Sequence, residues 1–174
     1  MIIRKAVLQD ISAISEIYDG ICDAQAEGKM IVSWIKGVYP TKDTALAALQ
    51  RDDLFVMEEK DKIVGTAIIN QKQMDSYYNA DWKFPAEDKE VMVLHTLAIS
   101  PEFGRKGYGS EFVKYYEEYA REKRCPYLRM DTNAINKTAR ALYKKLGYEE
   151  IGIIPCDFNG IPGFQMVLLE KYIG

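Results

Sequence analysis

Between Leu97 and Ser110 the chain reads Leu97-Ala98-Ile99-Ser100-Pro101-Glu102-Phe103-Gly104-Arg105-Lys106-Gly107-Tyr108-Gly109-Ser110. An apolar run stops at a proline, and three glycines with two adjacent cations follow before a helical pattern begins. Glycines let the backbone curl so that successive N–H groups converge, and a helix start adds unpaired donors and partial positive charge. Arg105 and Lys106 add full charges. Such a segment can cradle a phosphate or pyrophosphate, although the same glycines would also serve a tight strand-to-helix turn with no ligand. Two nucleotide motifs are excluded. Phe112 occupies the third place of Gly-x-Gly-x-x-Gly, and no Gly-Lys-Ser/Thr closes a P-loop.

Three further positions carry chemistry. Asn136 and Tyr143 stand seven apart and share one face of a helix, about two turns along it. Alone, the first reads as a helix cap and the second as a core aromatic. His95, the only histidine, titrates in the range a proton acceptor needs, but a satisfied core histidine is an equally good reading. Glu90 enters the same apolar run.

These residues need elements to hold them. Ile2–Leu8 reads as a strand, and Asp10 as the cap of a helix with Ile11, Ile14, Ile17, Tyr18 and Ile21 at helical spacing. Thr41 can cap a second helix. Leu54–Glu58 and Ile63–Ile69 form a hairpin around Lys60-Asp61-Lys62. Val91–Ile99 is apolar enough for a strand covered on both faces. A helix runs from Gly107 to about Arg124, and Tyr127–Thr132 is a strand. A helix from Asn136 ends at Gly147. Tyr148–Ile154 and Phe164–Glu170 close the chain as a hairpin around Asn159-Gly160. Residues 71–89 show no clear period, which in a compact domain marks a functional or disordered segment. The order β-α-α-β-β-β-α-β-α-β-β predicts an α/β (α+β) fold. It is one mixed, mostly antiparallel sheet of six to seven strands with helices on both faces, a single domain over 1–174.

Composition narrows the function. Of 174 residues, 48% are hydrophobic and 28% charged, with a net charge of −3. That is an ordinary globular balance, without the basic footprint of nucleic-acid or anionic-membrane binding. No apolar run spans a bilayer, and the first residues lead straight into patterned sequence without a leader. Cys22, Cys125 and Cys156 are odd in number and lack metal-site spacing, so neither a metal nor a disulfide framework is expected. The cytoplasm is the expected compartment.

The glycine segment resembles the Gln/Arg-x-x-Gly-x-Gly/Ala loop of the GNAT superfamily of N-acetyltransferases, with Gly104 in the first place. A second block, Asn136-Lys137-Thr138-Ala139-Arg140-Ala141-Leu142-Tyr143-Lys144-Lys145-Leu146-Gly147-Tyr148, is similar to that family's Asn-x-x-Ala-x-x-Leu-Tyr-x-x-x-Gly-Phe. The element order matches over nearly the whole chain. The resemblance implies direct transfer of an acetyl group from acetyl-coenzyme A, as cosubstrate, to a primary amine of a small molecule or peptide. It implies that main-chain groups of Leu97, Ala98 and Ile99 hold the pantetheine arm and that Arg105, Lys106, Gly107, Tyr108, Gly109 and Ser110 bind the pyrophosphate. Asn136 would also contact the cofactor, and Tyr143 would protonate the departing thiolate. By the same resemblance His95 is the first candidate for the base and Asp131 the second, while Glu90, at the strand entrance, is a third. The acceptor side would draw on Trp34, Tyr39, Tyr77, Tyr78, Trp82, Asp75, Asp81 and Asp157, since ring faces and carboxylates attract ammonium groups. A non-catalytic acyl-coenzyme A sensor, or an enzyme using another acyl donor, are the competing readings. A homodimer is compatible with either.

Overall fold

The computed structural model describes residues 1–174. Seven strands form one sheet in the order β1-β2-β3-β4-β5-β7-β6: β1 (Ile2–Lys5), β2 (Leu54–Glu59), β3 (Lys62–Asn70), β4 (Val91–Ile99), β5 (Tyr127–Asn133), β6 (Glu149–Phe158) and β7 (Ile161–Tyr172). Only β4 and β5 run parallel. The helices are α1 (Ile11–Ala26), α2 (Lys42–Gln50), α3 (Tyr108–Glu122) and α4 (Lys137–Lys145). No helix is long and apolar enough to cross a membrane.

Side-chain alternation along the strands divides the core. In β2, Leu54 and Val56 join Ile14, Ile17, Tyr18 and Ile21 of α1 on one face. Phe55 and Met57 join Phe112, Val113 and Tyr116 of α3 on the other. A period of two thus covers both faces with helices. The β2–β3 turn places Lys60 and Asp61, and the β6–β7 turn Asn159 and Gly160, all at positive φ, as tight two-residue hairpin turns require.

One break in the alternation, in β4, bears on the site. Met92 and Leu94 face the α3 side, and after the break Leu97 and Ile99 do so too. Thr66 pairs with Ala98, but Ile68 pairs with His95. Two steps along β3 therefore match three along β4. The surplus residue is a β-bulge, and it reverses the facing of everything beyond it. Thr96 sits there at φ +49°, a conformation β-branched residues rarely adopt.

Two sequence expectations change. Asp10 does not cap α1: a short 3-10 turn over Leu8–Asp10 comes first, and the Asp10 carboxylate accepts from the Val7 N–H and pairs with Arg4 at 2.7 Å. Residues 71–89 are packed rather than loose. Tyr77 is fully buried, Trp82 donates to the Tyr77 carbonyl at 2.7 Å, and the Arg129 guanidinium lies 4.1 Å from the Trp82 ring centre. Arg129 also donates to Phe84 O and Gln73 Oε1. A buried arginine and aromatic contacts replace the missing period.

Candidate active site

The parallel pairing of β4 with β5 runs from Val91–Tyr127 to Leu94–Met130 and stops. Past that point the bulge turns β4 away, while β5 stays paired to β7 through Asp131–Leu168 and beyond. The strands part, and two cavities open into the gap. One, of about 180 Å³, is bounded by Leu97, Ile99, Asn133, Asn136 and Tyr143 among others. The second, of about 530 Å³, lies against α2 and the end of β3, with Arg51, Asn70, Lys72 and His95 on its wall. Tyr39, Thr96, Asp131 and Phe158 border both. They stand between the two cavities.

Asp131 is the only carboxylate on either wall. It is reachable through the cavities but otherwise enclosed, and loss of hydration pushes its pKa up from 3.8 to about 6. The Tyr77 hydroxyl donates to it at 2.6 Å and offsets part of that rise. Tyr143 is pushed upward by burial first and by the nearby Asp131 second, so its phenol stays protonated at neutral pH. The Tyr39 hydroxyl meets Thr96 Oγ1 at 2.5 Å and is pushed up to about 12 by burial.

His95 has the opposite shift. Its Nε2 lies 3.1 Å from both Asn70 Oδ1 and the Lys72 carbonyl. Two acceptors at one nitrogen place the ring hydrogen there. Burial lowers the pKa to about 4, so the imidazole is neutral and weakly basic. Glu90 falls outside the site. It precedes the closed end of the β4–β5 pair and accepts from the Glu87 N–H at 3.1 Å, ending a short turn there.

On the other side of the gap, a 3-10 turn over Pro101–Phe103 leads through Arg105 at φ +64° and Gly107 at φ +83° into α3. No side chain caps α3. Its first N–H groups, from Tyr108, Gly109 and Ser110, are left for an outside acceptor, with exposed Arg105 and Lys106 beside them. This is a cradle that fits a pyrophosphate. Tyr108 can offer only its main chain, because its side chain is buried and its hydroxyl donates to Glu59. The Ala98 side chain likewise packs against α1, so its part in a ligand contact is limited to backbone. Asn136 Oδ1 accepts from the Ala139 N–H at 3.1 Å and caps α4, and the residue also borders the smaller cavity.

The aromatic and acidic set expected at the acceptor side is only partly assembled. Tyr39 borders both cavities and Trp34 the smaller one. Tyr77 and Trp82 anchor the 71–89 segment, and Tyr78 is exposed and donates to Asp88. Asp75, Asp81 and Asp157 are exposed and border neither cavity. Sequence reasoning missed Thr96, Phe158, Arg51 and Lys72. Only the bulge and the α2 placement bring these together, and neither has a local sequence signal.

An open mixed sheet parts here beside an uncapped, glycine-led helix, and residues 20–148 match the family model for the acetyltransferase (GNAT) family, whose members use acetyl-coenzyme A. The chain belongs to that family. An N-acetyltransferase of Methanocaldococcus jannaschii, itself uncharacterized, is 27% identical over 59% of this chain and 42% of its own length. The thialysine N-epsilon-acetyltransferase of Bos taurus is 36% identical over 33% of this chain and 34% of its own. The matched stretches thus span less than half of these relatives. Among solved structures, a GNAT acetyltransferase of Streptococcus agalactiae superposes with a TM-score of 0.81 at 22% identity, covering 98% of this chain and 94% of that one. An acetyltransferase of Salmonella typhimurium, solved with acetyl-CoA, superposes at 0.70 with 19% identity over 100% and 94%. At these identities the likeness is one of fold.

Proposed function

We propose that this protein transfers an acetyl group from acetyl-coenzyme A to a primary amine of a small molecule or peptide, with Asp131 as general base and Tyr143 as proton donor. The observation that carries the reading is the position of Asp131 on the walls of both cavities, with Tyr143 on the smaller one beside Leu97 and Ile99 of β4. A carboxyl titrating at about 6 is ionised at neutral pH and basic enough to accept a proton from an amine as it acquires positive charge. His95, lowered to about 4, is weaker and further constrained by its two acceptors. Asp131 therefore takes precedence over the histidine that sequence reasoning put first.

When bound, the cofactor supplies an activated thioester. Around it, the chain's own groups have separate tasks. The α3 N-terminus, Arg105 and Lys106 hold the pyrophosphate. The β4 edge beyond Leu94, unpaired on its β5 side, offers main-chain groups of Leu97 and Ile99 to the pantetheine arm. Attack by the neutral amine forms the C–N bond and places positive charge on nitrogen, whose proton passes to the Asp131 carboxylate. The C–S bond breaks, and the Tyr143 phenol gives its proton to the departing sulfur. Asp131 then returns a proton to the phenol, so the products are an amide and a free thiol.

The protein acts as one domain over residues 1–174 in this reading. All three cysteines are free thiols, which suits a reducing compartment such as the cytoplasm. Thiol release from acetyl-coenzyme A against a panel of amines tests the proposal. Amine-dependent release supports it, whereas cofactor binding without release on any amine would favour a sensor.

A further inference from the structure

The larger cavity has two chemically distinct ends. Asp131 is its only acidic lining residue and stands at the β5 end. At the far end are the two basic ones, Arg51 just after α2 and Lys72 just after β3. Asp53 Oδ2 engages Arg51 through Nε at 3.0 Å, which aims the guanidinium and leaves its two Nη groups for another partner. The same Asp53 oxygen accepts from Asn70 Nδ2 at 2.7 Å, and Asn70 Oδ1 faces His95 Nε2 at 3.1 Å. The chain Arg51–Asp53–Asn70–His95 fixes this end, with the histidine neutral. Lys72 is exposed, and Asp53 offsets only one of the two cationic charges. The far wall is net positive.

We propose that the acceptor is bifunctional: a primary amine at Asp131 and an anionic group, carboxylate or phosphate, held by Arg51 and Lys72. This rests on the reading of Asp131 as the amine end. The geometry also sets a length. From β5 across β4 to β3 is two strand spacings, about 10 Å. Side chains and hydrogen bonds occupy part of that span, leaving roughly 6–8 Å between amine and anion, or about six bonds of extended chain. A guanidinium also favours planar, two-point contact with a carboxylate or phosphate.

The test compares kcat/KM for 6-aminohexanoate, 5-aminopentyl phosphate and hexylamine in the wild type, Arg51→Gln and Lys72→Gln. The better of the two anionic amines should exceed hexylamine by about 10- to 100-fold, mostly through KM, as a charge-assisted contact predicts. Which one leads identifies the anion. The ratio should fall toward one in each variant. Arg51→Gln also removes a partner of buried Asp53 and can unsettle the fold. Lys72→Gln alters an exposed side chain and keeps the test decisive. Hexylamine matching both anionic amines, or a preference that survives both substitutions, overturns the anionic end while leaving acetyl transfer intact. Cofactor binding without thiol release on any of the three amines overturns both readings.

Discussion

In Asp131→Asn the side chain keeps its shape and its acceptor for the Tyr77 hydroxyl, but it can no longer ionise. The wild-type carboxyl is held at about 6 against an ordinary 3.8. At about 1.4 kcal/mol per unit, that difference means ionised Asp131 costs the folded state about 3 kcal/mol. The sign follows from the direction. A carboxyl raised by folding binds its proton more tightly in the folded chain, so its favourable contribution is complete below pH 3.8. That contribution is lost as pH rises through about 6. Asparagine avoids the loss. Differential scanning calorimetry should therefore show Asp131→Asn melting higher at pH 7.5, by roughly 6–12 °C for a domain of this size. The gap should close toward zero near pH 4. Turnover should move the other way and fall by about 10²–10⁴, the worth of a positioned base. A variant no more stable than wild type, or equally stabilised at pH 4 and pH 7.5, would refute the argument that a desolvated carboxylate sits there. Stabilisation with activity intact would remove Asp131 from the mechanism.

Removing the hydroxyl in Tyr143→Phe preserves the packed ring, so melting should barely change while kcat drops by about 10²–10⁴. Near-normal turnover, with chemistry limiting, would leave the tyrosine a purely structural role. The bond from Tyr77 lowers the Asp131 pKa, so Tyr77→Phe should shift the acidic inflection of kcat/KM upward from about 6. A pH profile with an unmoved inflection would mean that another group titrates. At Gly107 a Cβ meets open space, but φ is +83°. Gly107→Val should therefore distort the turn without filling it, and thermal-shift assays should show a folded protein that acetyl-coenzyme A no longer stabilises. A retained cofactor shift would remove the cradle from its assigned role.

Fold was more legible in the sequence than site. Ile11 to Ile21, Phe112 to Ala120 and the strand runs announce their elements because burial imposes a period on them. Both hairpin turns carry their own chemistry in Lys60-Asp61 and Asn159-Gly160. The cofactor side was similarly local, since glycines and cations in a row specify a turn and its charge. The proton acceptor was not local. Enclosure pushes His95 down and Asp131 up, and Tyr77, which bonds to Asp131, belongs to a stretch without periodicity. Asp10 shows the same limit on a smaller scale. It has the residue type of a cap, but Arg4 is placed beside it only once β1 has folded back.

The bulge at Thr96 gives β4 the character of a phase slip. Two residues upstream of it the strand is zipped to β5 like any other, and beyond it that pairing is gone. Excising a single residue there would restore the pleat and bring the following side chains into step. β4 could then run on beside β5 through Asp131, and the seam would seal. The open cleft and a continuous sheet thus stand one residue apart. The strained threonine is the spacer that keeps the molecule on the open side of that divide.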